Sequence, residues 1–143
     1  MADVPGTQFR DVLSGTDEDD TLSGLDGDDA LLGLAGEDVL DGGEGRNVLS
    51  GGEGADTFAV TAGEGVDVIT DFVQGEDVID LSGYEGITDF EQLGEFLDTT
   101  VFERSTTIDL GAAASEGDDV ATDVLIVGGF TEELTEDDFL FAA

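Results

Sequence analysis

Apolar and polar positions recur with a period of nine residues along the first part of the chain. From Gly6 to Ala59 the sequence divides without gaps into six blocks. They read GTQFRDVLS, GTDEDDTLS, GLDGDDALL, GLAGEDVLD, GGEGRNVLS and GGEGADTFA. Position one is always Gly, and position eight is Leu in five blocks and Phe in the sixth. This agreement predicts a repeated structural unit.

Each block predicts one tight turn followed by one short strand. Glycine at positions one, two and four permits the backbone conformations that a tight turn needs. Positions seven to nine are mostly apolar or β-branched, which favours a strand whose position-eight side chain points inward. We expect two blocks to complete one coil, so that equivalent turns stack at about 4.8 Å. A flexible linker is the alternative for a Gly/Asp-rich run, but a linker has no reason to keep an inward apolar column.

Position six carries an acid or its amide in every block. One predicted column holds Asp20, Asp38 and Asp56, and the other holds Asp11, Asp29 and Asn47. Carboxylates stacked this closely repel each other unless a cation lies between them. Carboxylate and carbonyl oxygens favour Ca²⁺ over Mg²⁺, which demands a tighter octahedron. Asn47 offers an oxygen without a charge, so its site is expected to be weaker.

The blocks resemble the nonapeptide G-G-x-G-x-D-x-U-x of the RTX (repeats-in-toxin) calcium-binding proteins, in which U is a large apolar residue. The block from Gly51 to Ala59 matches at every defined position, whereas the first two blocks lack the second and fourth glycines. The resemblance implies an all-β fold, a right-handed parallel β-roll (β-helix). It also implies one Ca²⁺ between turns two blocks apart, with ligands from both position-six side chains and from carbonyls of positions one to four.

The resemblance also assigns metal ligands to this chain. The implied side-chain pairs are Asp11–Asp29, Asp20–Asp38, Asp29–Asn47 and Asp38–Asp56. The implied carbonyl ligands are Gly24, Gly27, Gly33, Gly36, Gly42, Gly43, Gly45, Gly51, Gly52 and Gly54. The first two turns are the weakest part of the match, because Phe9 and Glu18 stand where the fourth glycine belongs.

The next segment, GVDVITDFVQGEDVIDLSG, resembles the one that closes the roll in serralysin-like proteases. Stacked repeats need such a cap. The residues expected to close the apolar column are Ile69, Phe72, Ile79 and Leu81. Asp71 and Asp77 are predicted ligands, and Asp80 could instead serve a turn. For Asp67 a ligand role and a simple edge-strand role both stay open.

Residues 84–143 are expected to form a β-rich C-terminal cap on the roll of residues 1–83, within one structural domain. ITDFEQLGEFLD, from Ile87 to Asp98, predicts one short helix with a capping box at Thr88 and Glu91. Three strands are predicted, at Thr100–Arg104, Thr106–Leu110 and Val120–Val127. The stretch AAASEGDDVAT between the last two reads as a loop.

The C-terminus, FTEELTEDDFLFAA, is similar to the uncleaved signal of type I-exported RTX proteins. That resemblance implies a secreted, extracellular protein and the type I secretion apparatus as a partner. The apolar end, Phe139–Phe141, can equally form a last core strand. Both can hold, because such a signal is read while the chain is unfolded.

Composition excludes several functions. The 37 Asp and Glu residues face three Arg and no Lys or His, a net charge of −34 that argues against nucleic-acid and anionic-membrane partners. Without His or Cys there is no Cys- or His-based nucleophile and no zinc, haem or iron–sulfur site built on them. No apolar run approaches a membrane span, and the N-terminus lacks the features of a secretory signal peptide.

The sequence therefore predicts a calcium-binding module rather than an enzyme. It binds several Ca²⁺ ions and folds only when they are present, because the ion-free chain is expanded by its own charge. The alternative is a calcium-dependent polysaccharide-binding or adhesin module. A salt-adapted acidic surface would explain the charge but not the nine-residue period.

Overall fold

A computed structural model of the protein describes residues 1–60, 65–83, 87, 89–94, 97–102, 105–109, 123–128 and 134–141. The predicted loop at residues 112–122 lies outside these ranges. The repeat segment and its closing segment form β1 (Asp3–Pro5), β2 (Val12–Ser14), β3 (Thr21–Ser23), β4 (Ala30–Ala35), β5 (Val39–Asp41), β6 (Gly45–Glu53), β7 (Thr57–Ala59), β8 (Gly65–Ile69) and β9 (Val78–Asp80). Then follow α1 (Phe90–Gly94), β10 (Leu97–Phe102), β11 (Ser105–Asp109), β12 (Asp123–Gly128), a 3₁₀ turn (Glu136–Asp138) and β13 (Phe139–Leu140).

The strands alternate between two sheets, as expected if each coil contains two blocks. The first sheet has the order β1-β3-β5-β7-β9-β13 and is parallel throughout. The second has the order β10-β11-β12-β8-β6-β4-β2, and only β11 runs antiparallel to its neighbours. Within the repeats each residue pairs with the residue eighteen positions later, as Leu22 does with Leu40. The chain is therefore an all-β solenoid of about four turns, which confirms the predicted β-roll.

The position-eight side chains form two apolar rows that face each other inside the solenoid. The first sheet contributes Leu22, Leu40, Phe58 and Ile79, which are neighbours on adjacent strands. The second contributes Leu31, Leu49, Ile69 and Val127 in the same way. All eight side chains are fully buried. Hydrophobic burial along these rows is the main force that joins one coil to the next.

The closing segment seals the end of this core. Phe72 and Leu81 are fully buried with Ile69 and Ile79, as the sequence predicted. The rings of Phe58 and Phe72 pack at 6.3 Å between centroids. The backbone offset also changes here, because Asn47 pairs with Asp67 and Phe58 with Ile79, twenty and twenty-one residues later. The last coil is therefore longer than the repeated ones.

The predicted helix from Ile87 to Asp98 is too long. The helix α1 ends at Gly94, and from Leu97 the chain is strand β10, paired with β11. Glycine favours helix termination, and the backbone groups of Leu97 and Asp98 are used by the sheet instead. Thr88 of the predicted capping box lies outside the described residues. In the part of the chain that is described, no helix is long and apolar enough to cross a membrane.

The C-terminal tail forms the last strand of the first sheet. In β13, Phe139 pairs with Ile79 and Leu140 with Asp80 of β9. The ring of Phe139 stacks on Phe141 at 6.0 Å and lies 5.8 Å from that of Phe90. The prediction of a last core strand is confirmed. An export role for the same tail stays a prediction.

Truncation of the inward row should destabilise the solenoid far more than truncation on its outer face. We expect Leu40→Ala to cost about 3 kcal/mol, the usual penalty for a cavity at a fully buried leucine. The adjacent Val39 is 38% exposed, so Val39→Ala should cost less than about 1 kcal/mol. Urea unfolding in saturating Ca²⁺ measures both. Equal losses would contradict the assignment of position eight to the core.

Candidate metal centre

Two columns of polar side chains run along the two edges of the solenoid where the turns meet the strands. Column A comprises Asp20, Asp38, Asp56 and Asp77, each directly before a strand of the first sheet. Column B comprises Asp11, Asp29, Asn47 and Asp67, at the strands of the second sheet. All but the half-buried Asp11 are buried. The predicted columns are confirmed as neighbouring residues, and each has one additional member from the closing segment.

One side-chain oxygen of most column residues accepts from a backbone N–H of the preceding coil, which forms a hydrogen-bond ladder between coils. Asp29 Oδ1 accepts from the backbone N–H of Asp11 at 2.7 Å, and Asp38 Oδ1 accepts from that of Asp20 at 2.8 Å. Asn47, Asp56 and Asp77 accept in the same way from Asp29, Asp38 and Asp56, each at 3.0 Å. The four predicted pairs are thus in direct contact. Because each N–H donates to a side chain, the ladder fixes the distance between successive carboxylates.

At some of the described column aspartates the second carboxylate oxygen, Oδ2, has no hydrogen-bond partner, and at others it has donors. Within the described residues, the buried Oδ2 atoms of Asp29, Asp38 and Asp56 have no hydrogen-bond partner. A buried polar atom without a partner costs about 1–3 kcal/mol, and more when it is charged. We call these three atoms the orphan oxygens.

At three other column aspartates the protein itself supplies hydrogen-bond donors to Oδ2. Thr7 donates its backbone N–H and its hydroxyl to Asp11 Oδ2, at 2.6 and 2.8 Å. Thr16 does the same for Asp20 Oδ2. The backbone N–H of Val73 donates to Asp77 Oδ2 at 2.7 Å. These positions need an outside cation less than the orphan oxygens do.

The position-one glycines keep the orphan oxygens close to carbonyl groups. A Cβ on Gly24 would lie 2.6 Å from Asp29 Oδ2 and against the carbonyl oxygen of Gly42, one coil later. A Cβ on Gly33 would lie 2.5 Å from the carbonyl oxygen of Gly51 and against Asp38 Oδ2. At these two turns a carboxylate oxygen and a carbonyl oxygen, both acceptors, therefore lie against the same glycine. A cation satisfies such a pair, and oxygen-only ligands suit Ca²⁺.

The remaining loop glycines make the turns possible. Gly27, Gly36, Gly43, Gly45, Gly52 and Gly54 all have φ between +78° and +124°. Leu25 and Leu34 take the place of the second glycine in their blocks and have φ of 76° and 86°. Such angles are rare for a residue with a side chain. The turn geometry is therefore maintained even where the glycine is missing, although whether each carbonyl is a ligand stays a prediction.

Backbone carbonyls would have to complete any ion site. Among the described residues, no three or more carboxylate, histidine or cysteine side chains come together as a metal cluster. Each junction brings together only two column residues, together with the turn carbonyls. This composition fits Ca²⁺, which accepts backbone oxygens and irregular geometry.

Asp71 lies in neither column. Its carboxylate accepts hydrogen bonds from Ser50 Oγ at 2.8 Å and from the backbone N–H groups of Gly51 and Gly52 at 3.1 and 3.0 Å. Both of its oxygens thus join the closing segment to the turn of the last repeat. Its predicted ligand role stays a prediction.

For Asp67 the sequence leaves a ligand role and an edge-strand role open. The structure places Asp67, position six of the block AGEGVDVIT, in strand β8, where Asn47 Nδ2 donates to it at 2.9 Å. Sequence reasoning missed the donors Thr7 and Thr16, although each stands at position two, four residues before its aspartate. Ser82 donates its N–H to Asp80 Oδ1, so Asp80 serves a turn.

The pKa shifts follow the same division except at Asp77, whose pKa burial raises although Val73 donates to it. Burial raises the pKa of Asp56 to about 6, and the nearby charges of Asp77 and Asp38 contribute to the shift. Burial likewise raises the pKa of Asp29 and of Asp38. For Asp20 burial acts upwards, but the hydrogen bonds from Thr16 and Ala2 outweigh it and its pKa is lowered. The orphan oxygens of Asp38 and Asp56 therefore lie in the same column as Asp20, whose charged form the protein already stabilises by hydrogen bonds.

Comparison with known proteins agrees with this geometry. A family model described as the RTX calcium-binding nonapeptide repeat (4 copies) matches residues 5–40, 23–58 and 32–69. No curated protein matches the sequence. Two similar solved structures are solution structures of the AlgE6R2 and AlgE6R3 subunits from the mannuronan C5-epimerase of Azotobacter vinelandii.

Both structures align over nearly the whole chain. The AlgE6R2 subunit has 31% identity and a TM-score of 0.70, over 97% of this chain and 92% of its own. The AlgE6R3 subunit has 30% identity and a TM-score of 0.66, over 96% of this chain and 81% of its own. The similarity therefore includes the C-terminal region as well as the repeats.

Acid should stabilise the ion-free fold. The pKa of Asp56 is about 6 in the fold and near 3.8 in the unfolded chain, so the folded chain binds the proton more tightly. The resulting instability is fully present above about pH 6 and disappears towards pH 4. In EDTA, circular dichroism should therefore show more β structure at pH 5 than at pH 7. Asp56→Asn should reduce this pH dependence, and a wild-type signal that is flat or falls on acidification would contradict the assignment.

A methyl group at a position-one glycine should disrupt the candidate metal centre. We expect Gly33→Ala to displace the Asp38 carboxylate or the Gly51 carbonyl, at a cost of about 1–3 kcal/mol. The concentration of Ca²⁺ needed for folding should rise accordingly. Gly83→Ala is the matched control, because its Cβ would meet only the Val60 carbonyl, at 3.7 Å. Calcium titration followed by circular dichroism compares the two, and equal midpoints would rule out the close contact.

Proposed function

Because this chain belongs to the RTX calcium-binding nonapeptide repeat family, we propose that it is a calcium-dependent folding module of a protein exported by type I secretion. The observation that supports this most directly is the set of three orphan oxygens, two of which lie near turn carbonyls. Proteins with such repeats are typically exported. In this proposal the module stabilises a protein outside the cell and does not itself catalyse a reaction.

The energetics of the columns make folding conditional on the ion. Three buried carboxylate oxygens without donors oppose folding, and burial raises the pKa of all three groups. Ca²⁺ binds only the folded form, since the ligands are assembled by the coils. At ten times its dissociation constant each ion contributes about 1.4 kcal/mol. Three ions contribute about 4 kcal/mol, which is comparable to the whole stability of many small domains.

The net charge of the chain and the difference in Ca²⁺ concentration across the cell boundary both support the proposal that the protein is exported. The net charge of −34 keeps the ion-free chain expanded, and an expanded chain can be threaded through a secretion channel. Sites like those of extracellular modules have dissociation constants on the order of 10⁻⁴ to 10⁻³ M, so they fill outside the cell and not in the cytosol. The tail would be read as a signal while unfolded and would pack as β13 afterwards.

Polysaccharide binding, the alternative, has little support from the surface. Aromatic side chains that commonly stack on sugars are scarce here, since the chain has no Trp and one Tyr. In the described part Phe58, Phe72 and Phe139 are buried in the core, whereas Phe9 is 77% exposed. The name mannuronan C5-epimerase belongs to the similar structures. We therefore do not extend a polysaccharide ligand to this chain.

Removal of calcium should unfold the protein reversibly at neutral pH. In EDTA at pH 7.4 we expect a coil spectrum by circular dichroism, and in millimolar Ca²⁺ a β spectrum. The radius of gyration from small-angle X-ray scattering should fall from about 40 Å to about 15 Å. Equimolar Mg²⁺ is the control and should be far less effective, because it requires a tighter octahedron. A folded β spectrum in EDTA would exclude calcium-dependent folding.

A further inference from the structure

Asn47 is the position-six residue that carries an amide instead of a carboxyl group in the six repeats. It is 1% exposed, and both of its polar atoms are engaged. Oδ1 accepts from the backbone N–H of Asp29 at 3.0 Å. Nδ2 donates to the carbonyl oxygen of Gly43 at 3.2 Å and to Asp67 Oδ1 at 2.9 Å. These partners fix the amide orientation, since one side faces a donor and the other faces two acceptors.

The acceptors of Asn47 are the two kinds of oxygen that converge on the candidate ion positions. Gly43 is a turn glycine four residues earlier, and Asp67 is the column residue of the following coil. At Asp38 the corresponding Oδ2 has no partner, and the Gly51 carbonyl lies near it. The same is true of Asp29 and the Gly42 carbonyl. At Asn47 an NH₂ group supplies the positive partial charge that is missing at the other two positions.

We propose that the Asn47 amide takes the place of a calcium ion at the junction between β6 and β8. An NH₂ group has no lone pair to offer Ca²⁺, and it occupies the position from which an ion would contact these two oxygens. This junction therefore closes without calcium, at a position where the sequence leaves a ligand role for Asp67 open. The inference rests on the proposed function, because it concerns where the ions of that function do not bind.

The substitution makes the two columns unequal. In column A the orphan oxygens of Asp38 and Asp56 are in consecutive coils, and the row reaches the closing segment at Asp77. In column B the ion row ends at Asp29, because Asn47 bridges to Asp67 by hydrogen bonds. The repeats are thus joined to the C-terminal cap by ions along one edge and by an ion-independent contact along the other. Such a contact attaches the cap to the last repeats without an ion at this edge.

Exchange of the amide for a carboxylate tests the inference directly. Asn47→Asp keeps the shape but turns the donor into an acceptor, so the variant should bind one more Ca²⁺ than the wild type by native mass spectrometry. Asp38→Asn makes the reverse change in column A and should bind one ion fewer. Gln8→Glu adds the same charge at an exposed position and should leave the count unchanged. An N47D protein with the wild-type ion count would overturn the proposal.

Two further measurements keep the outcome clear if N47D does not fold. In the calcium-loaded wild type, the side-chain NH₂ protons of Asn47 should exchange slowly with water, because both are buried and hydrogen-bonded; fast exchange in NMR spectra would refute the bridge. Asp38→Asn must still lose one ion, and an unchanged count would also refute it. Failure of the proposed function looks different, since the wild type itself would then bind no calcium.

Discussion

The fold depends on the backbone pairing that places equivalent turns of successive coils next to each other. Parallel strands pair at about 4.8 Å, and the eighteen-residue offset places one position-six side chain above the next. Two full charges at about 5 Å repel by roughly 3 kcal/mol at an effective dielectric constant of 20. The same pairing aligns the apolar rows that hold the coils together. Cohesion and repulsion therefore have one origin, and neither can be removed without shifting the register.

The molecule offsets this repulsion in three ways. The amide ladder supplies one donor to nearly every column residue, from the coil before it. Local donors such as Thr7 and Thr16 neutralise the second oxygen in the first coil. At Asp29, Asp38 and Asp56 the ladder continues but no local donor among the described residues reaches the second oxygen, and a cation can satisfy it there. The described coils whose carboxylates lack a donor to Oδ2 are thus the middle ones, between a hydrogen-bonded first coil and a hydrophobic cap.

Much of the fold and part of the site were predictable from the sequence. The nine-residue period determined the coil, the inward row and both columns, because sheet spacing turns a sequence period directly into neighbours in space. The helix was less predictable, since Leu97 and Asp98 fit a helical pattern but pair in β10. The difference between Asp20 and Asp38 was also hidden, because it depends on whether Thr16 donates to the second oxygen. Donor geometry of this kind is set by turn conformation and not by the repeat itself.

The change of offset at the closing segment separates a part of the molecule that can vary in length from a part that cannot. Upstream, every pairing spans eighteen residues, so a duplication or deletion of that size adds or removes one coil, about 4.8 Å of solenoid. The offsets of twenty and twenty-one residues at Asp67 and Ile79 fit only the last coil. An insertion of nine residues would instead exchange the two columns and set Asn47 opposite the wrong turn. Evolution of this protein by slippage of its repeats is therefore restricted to pairs of blocks.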